Sequence, residues 1–158
     1  MGETTASEDI RFFHEEVTPE LLSEIEPLLR LHWEEIAHYK DIPLQPDWDA
    51  YLNLASHKAL RVFTVRKSDR LIGYSVFFVR KNLHYSSSLQ AVQDILFLLP
   101  EHRGAFLGYR FIAWCDEQLK AEGVQAVYHH VKAAHDFGPM LERLGYELVD
   151  RIYGRRLD

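Results

Sequence analysis

The chain has 158 residues, 47% of them hydrophobic and 27% charged, with a formal net charge of -6. That length suits one domain with a substantial core, and the acidic balance argues against non-specific nucleic-acid binding, which calls for a basic face. No apolar run nears the ~20 residues of a membrane span, no basic-then-apolar leader opens the chain, and the single Cys115 precludes an internal disulfide and suits a reducing cytoplasm.

In chain order, Met1 to Asp9 is small, polar and acidic, with nothing to bury. It reads as a disordered lead, which leaves residues 10–158 as one domain. Ile10 to Val17 has a strand pattern. Thr18-Pro19 then supplies a helix cap and a first-turn proline, followed by apolar residues at helical spacing: Leu21, Leu22, Ile25, Leu28, Leu29, His32, Trp33 and Ile36. Pro27 falls inside that stripe, so a kink or a break into two helices is expected. Two prolines make Ile42 to Pro46 a loop, and Asp47 can cap a short second helix bearing Trp48, Tyr51, Leu52 and Leu54.

Leu60 to Arg66 and Leu71 to Val79 flank the polar turn Lys67-Ser68-Asp69-Arg70 and read as an antiparallel hairpin. Asn82 to Ser88 connects to a strand from Asp94 to Leu99. A turn opened by Pro100 follows, and then a helix with Leu107, Phe111, Trp114, Cys115 and Leu119 on one face, ended by Glu122-Gly123. Val124 to Val131 reads as a strand, Gly138-Pro139 opens a short helix, and Tyr146 to Tyr153 reads as a closing strand. The predicted order is β-α-α-β-β-β-α-β-α-β, an α/β (α+β mixed) fold in which helices flank a mixed sheet. The strand before the turn and the strand after its helix would run parallel through a right-handed crossover.

The turn between strand and helix has the makings of a phosphate cradle. A helix start offers unpaired backbone N–H groups and the positive end of the macrodipole, and small residues allow an anion to approach them. The chain has neither G-x-x-x-x-G-K-[ST] nor G-x-G-x-x-G with a later acidic residue, so the two commonest nucleotide loops do not apply. Leu98-Leu99-Pro100-Glu101-His102-Arg103 and Arg103-Gly104-Ala105-Phe106-Leu107-Gly108 instead resemble the strand end and R-x-x-G-x-G pyrophosphate loop of the GNAT superfamily of N-acyltransferases. Phe106 departs from that pattern at its first glycine. The segment from His135 to Glu147, with Leu144-Gly145-Tyr146, resembles the same superfamily's last helix and turn. Trp33-Glu34-Glu35, Pro46-Asp47-Trp48 and Leu83-His84-Tyr85 resemble a phage-associated branch of it.

The resemblance implies a GNAT-like acyl-CoA N-acyltransferase fold and transfer of acetyl from acetyl-CoA directly to a primary amine of a small molecule or protein. It implies that Arg103, Gly104, Ala105, Phe106, Leu107, Gly108 and Tyr109 meet the pyrophosphate of coenzyme A. The two parallel strands would splay, and the backbone of Phe97, Leu98 and Leu99 would pair with the pantetheine arm. Homodimers are frequent among such proteins.

An amine must lose a proton before it attacks a thioester, so the chemistry asks for a base near those strands. Asp94 is the leading candidate, two residues after the position where resembling enzymes hold a carboxylate. Its alternative role is to pair with a neighbouring Arg or His. Leu141 stands where resembling proteins often have a tyrosine acid, leaving His135, Tyr128 and Tyr85 as candidates or an unassisted thiolate. Glu34, His38 and Tyr39 lie in the first-helix region, and His84 in a loop; the resemblance sets them at the acceptor site. Together with Glu35, Asp41, Asp47 and Asp49 they would form a carboxylate-rich rim for a cationic amine, or simply a solvated face. Metal binding is not expected, because adjacent His129 and His130 point to opposite faces of a strand. Cys115 and the tryptophans Trp33, Trp48 and Trp114 read as core. The alternative overall reading is a GNAT-fold module without catalysis, of phage origin, with nucleic-acid modification a third.

Overall fold

Ile10 to Glu15, with Ile10 and Phe12 packed against the core, forms the first strand, β1 (Ile10–Glu15), of a computed structural model that describes residues 9–158. The expected disordered lead, apart from Asp9, therefore lies outside the described residues. Then follow α1 (Pro19–Ile36), α2 (Trp48–Ser56), β2 (Leu60–Lys67), β3 (Arg70–Lys81) and β4 (Leu89–Leu98). A 3-10 turn (Pro100–His102), α3 (Leu107–Ala121), β5 (Ala126–Tyr128) and α4 (Gly138–Arg143) complete the order. The five strands form one sheet in the order β1-β2-β3-β4-β5, antiparallel except for β4 and β5, which run parallel. This is the mixed sheet with flanking helices expected from the sequence.

Local chemistry explains where the helices begin. The Thr18 hydroxyl accepts from the Leu21 amide at 3.1 Å, and the Asp47 carboxylate accepts from the Ala50 amide at 2.9 Å, each satisfying a donor that a helix start leaves unpaired. Pro27 does not divide α1, which runs through it unbroken. Pro27 and Ser23 both face solvent, so water can serve the Ser23 carbonyl that the proline cannot.

Both faces of the sheet are covered. On one side α3 sets Trp114 edge-on to Phe63 and Cys115 against Ser75, with Sγ and Oγ 3.6 Å apart. On the other, α1 lays His32 beside Phe97 and α2 carries Tyr51 to β4. Fully buried Phe63, Ile72, Tyr74, Phe77, Phe111 and Ile112 fill the interior. Arg66 ties β1, β2 and α1 together, bonding both oxygens of Glu15 and both of Glu24 at 2.9–3.1 Å. Cys115, Trp48 and Trp114 pack as expected. Trp33 does not join that cluster and instead lies under the Lys40 ammonium, 5.6 Å from its ring centre.

Three strand expectations change. β4 begins at Leu89, five residues before the predicted start, because it pairs with β3 from Lys81↔Leu89 onward. β5 is three residues rather than eight, since its ladder with β4 ends at Val92↔Tyr128. No strand forms over Tyr146 to Tyr153. Gly145, at a φ of 93°, turns the chain away after α4, and Leu148, Val149, Ile152 and Tyr153 are all more than 60% exposed. An alternating pattern makes a strand only where a sheet edge receives it.

Candidate active site

A cavity of about 910 Å³ opens where β4 outruns β5. Beyond Val92↔Tyr128, β4 continues for six residues, Gln93 to Leu98, without β5 alongside. The parallel strands thus diverge, and Phe97 and Leu98 line the gap with Phe137 and Met140 opposite.

The head of α3 closes one end of the cavity. Gly104, Ala105 and Phe106 occupy consecutive positive φ angles of 153°, 47° and 59°. Such a run turns successive backbone N–H groups toward one side, the arrangement that makes an anion-binding concavity. The helix start adds its own unpaired donors and dipole. Ala105 and Phe106 hold this shape against their side chains, at roughly 1–2 kcal/mol each. Phe106 borders the cavity and is 72% exposed, so its side chain is not packed inside the protein. The glycine of the R-x-x-G-x-G pattern thus stands where the backbone is left-handed. A Cβ placed on Gly108 would meet Met140 and Leu98 at ordinary packing distance.

Arg103 borders the cavity but is partly committed. Its Nη2 donates to both oxygens of Glu35 at 2.8 and 3.0 Å, and its Nε to the Leu98 carbonyl at 2.8 Å. Nη1 is the arm left to face an anion. The Leu99 amide is taken by the Ile72 carbonyl at 2.8 Å. Leu98 C=O and Leu99 N–H therefore do not await a pantetheine arm, and neither Leu99 nor Ala105 lines the cavity. Leu107, Gly108 and Tyr109, in the first turn of α3, do line it.

Asp94 lies on the wall near the point of divergence. In the β3–β4 ladder Val76 pairs with Ile95 and Phe77 with Gln93, so Asp94 is the extra residue of a β-bulge. A bulge breaks the strict alternation of a strand and re-aims a side chain. Here Asp94 accepts a hydrogen bond from the Tyr51 hydroxyl of α2 at 2.8 Å. Its pKa is raised, chiefly by partial desolvation although the side chain keeps an open face to solvent, against the opposing pull of the Tyr51 bond and the His130 charge. The Tyr74 hydroxyl, buried without a hydrogen-bond partner among the described residues, has its own pKa raised by burial and then by Tyr51 and Asp94.

The other candidates divide. His135 lines the cavity, its Nε2 3.1 Å from the Glu35 carbonyl. Tyr85, 68% exposed, sits with His84 in a turn whose amides both donate to the Asn82 side-chain oxygen, and neither lines the cavity. Glu34, His38 and Tyr39 also lie outside it, whereas their neighbours His32, Glu35 and Ile36 lie on its wall. The expected acidic rim is largely spent: Glu35 holds Arg103, Asp41 holds Arg156, and Asp47 caps α2. Leu141, at the position resembling a tyrosine acid, is buried and offers no proton.

Tyr51, His32 and His130 were not foreseen as site residues. Tyr51 belongs to the apolar stripe of α2, and only the fold brings it to a partner 43 residues away. His32 lies on the wall with its pKa lowered to about 4, first by burial, with Glu35 raising and Arg103 lowering it.

No protein-family model matches the sequence, and no curated protein resembles it closely enough to match. Solved structures share its fold. An aminoglycoside acetyltransferase from an uncultured soil metagenomic sample, in complex with sisomicin, superposes with a TM-score of 0.71 at 14% identity, over 93% of this chain and 96% of that one. A ribosomal-protein-alanine N-acetyltransferase from Brucella melitensis biovar Abortus 2308 gives 0.68 at 16% identity, over 95% and 99%. A protein from Clostridium acetobutylicum described as a predicted acetyltransferase, with acetyl-CoA, gives 0.68 at 11% identity, over 94% and 96%. The fold is that of the GNAT acetyltransferases.

Proposed function

We propose that the protein is an N-acetyltransferase that moves acetyl from acetyl-CoA to a primary amine of a small molecule or protein. The observation that supports this reading best is the meeting, in one cavity, of a carboxylate set by a β-bulge and a left-handed turn of backbone amides at a helix start. The residues present suit an elongated phosphate-bearing thioester. The amides of Gly104 and Phe106 and the free arm of Arg103 would hold the pyrophosphate, and the apolar gap beside Phe97 and Leu98 would hold the pantetheine arm.

Bound acetyl-CoA supplies an activated acyl carbon and a leaving thiolate. Asp94 takes a proton from the arriving ammonium, leaving a neutral amine to attack. Its raised pKa brings a carboxylate nearer the operating pH, which favours a general base. Tyr51 holds the carboxylate in place by donating to it. Transfer would form the C–N bond and break the C–S bond; the second proton on the nitrogen would pass to the departing thiolate, which needs no acid to leave because a thiol of pKa about 8.5 is a competent leaving group. His135, on the cavity wall, is a titratable candidate to relay that proton. A cytoplasmic setting fits this reading, with acetyl-CoA at hand and a buried, reduced Cys115. The phage-associated resemblance finds no support among the neighbours above and is not carried forward.

A thiol-release assay over a panel of polyamines, aminoglycosides, amino acids and peptides tests this reading. Asp94→Asn should lower kcat by about 100-fold or more while leaving acetyl-CoA affinity within a factor of about two. Undiminished turnover in that variant across the pH range would remove Asp94 from the role. No release with any amine would favour a GNAT-fold module without catalysis.

A further inference from the structure

The reaction described above gives no task to Gln93, although it stands on the cavity wall next to Asp94 in the chain. Thr64, Ser75 and Gln93 are the polar side chains more than nine-tenths buried among the described residues, and of the three only Gln93 lines the cavity. Burying a side-chain amide is costly unless its groups find partners. One end of this amide has a partner, because Nδ1 of His129 stands 3.3 Å from Oε1. The other end, Nε2, bonds to nothing among the described residues. Yet it is not among the side-chain atoms sealed off without a partner, which are the Tyr74 hydroxyl and Nε2 of His129. It therefore keeps an opening, and the cavity is what Gln93 borders.

The fold fixes which way the amide points. Gln93 and His129 are the first residues beyond Val92↔Tyr128, where the β4–β5 ladder ends. The imidazole meets Phe77, Phe137 and Tyr146 edge-on, at ring-centre distances of 5.7, 6.1 and 5.1 Å, and burial lowers its pKa to about 4. A neutral imidazole carries one N–H. Facing a carbonyl oxygen, that hydrogen belongs on Nδ1, which keeps Oε1 toward His129 and turns the NH2 group to the gap. Gln93 pairs with Phe77 on the face that α3 covers, whereas Asp94 reaches Tyr51 on the face of α1 and α2. The gap thus has an amide donor on one side and a carboxylate on the other.

On the N-acetyltransferase reading, on which this rests, we propose that Gln93 is a further catalytic residue. Its Nε2 donates to the thioester oxygen while the amine attacks from the Asp94 side, and His129 is the positioning residue that aims it. The amine lone pair makes the C–N bond as the carbonyl pair moves onto oxygen. A fixed N–H stabilises the charge that gathers there, and the pair returns as the C–S bond breaks. Gln93 gives up no proton, so it adds to Asp94 without competing with it.

Isotope-edited infrared spectra of the bound thioester carbonyl test this with no acceptor amine present. On the wild type, the stretch of acetyl-CoA should lie below that of the free thioester. In Gln93→Leu it should return most of the way, with affinity by calorimetry within about twofold and kcat for the best amine down about 100-fold. That substitution strands the His129 N–H, so Gln93→Leu with His129→Phe removes both partners; it should keep the melting temperature while losing the same shift and rate. His129→Phe alone should give an intermediate shift, and a full one would remove His129 from the positioning role. Acetyl-CoA bound with its shift intact in both Gln93 variants, or unshifted on the wild type, would overturn the inference and leave the acetyltransferase reading standing. A well-folded wild type that binds no acetyl-CoA would overturn both.

Discussion

Asp94 owes its position to one extra residue in a strand. Without the bulge, alternation would alone decide which face it took; as the unpaired residue of the ladder it reaches the hydroxyl of Tyr51. That bond favours the ionised carboxylate and opposes the effect of burial. Tyr51→Phe should therefore raise the Asp94 pKa further, moving the acid limb of the kcat/KM profile to higher pH, measured with the best amine found. An unmoved limb would detach Tyr51 from the base. Asp94 and the turn from Arg103 to Gly108 were legible because their signals are local: a carboxylate on an apolar strand, and small residues at a helix start. Tyr51 was not, because a tyrosine in a helical stripe looks like core until the helix is docked. Arg103 was read as a phosphate ligand without its brace, since Glu35 is 68 residues distant. Phe106 hid the left-handed conformation that glycine would have announced.

At the scale of elements, α2 is the lever for the site. It is nine residues long and has no fully buried side chain, so its cap matters more than it would in a long packed helix. Asp47→Ala should cost about 1 kcal/mol of stability in urea denaturation, and should lower kcat more than it changes acetyl-CoA affinity, because α2 carries Tyr51. The cap was readable from Asp47 beside an apolar stripe, as was Thr18 for α1. Pro27 does not break α1, and the Ser23 carbonyl it strands faces solvent, where water can serve it. Tyr146 to Tyr153 also misled. Its pattern is that of a strand, but pairing is decided by a distant edge, and the segment meets none among the described residues. β4 was read too short because the Gln90 to Gln93 stretch looks mixed, although β3 supplies a ladder along its whole length.

Across the whole molecule, buried histidines set the response to acid. His32 and His129 are each held near a pKa of about 4, well below the usual 6.5, with burial the main cause. Their folded forms resist protonation while the unfolded chain accepts it. The stability they contribute is therefore full above about pH 6.5 and is lost as pH falls toward 4, by roughly 1–3 kcal/mol for the pair by pH 5. Asp94 and Asp116, whose pKa values are raised, gain protons more readily when folded and offset part of this loss nearer pH 4. Urea midpoints at pH 7, 6 and 5 should fall in that order, and a flat series would show that burial does not keep these rings neutral. Among the described residues no helix is long and apolar enough to cross a membrane. The central claim concerns the cavity between β4 and β5, and calorimetric titration with acetyl-CoA in low-phosphate buffer addresses it most directly. Micromolar binding by the wild type, weakened about tenfold or more in Arg103→Ala, is the expected result. A well-folded wild type that takes up no acetyl-CoA would contradict it.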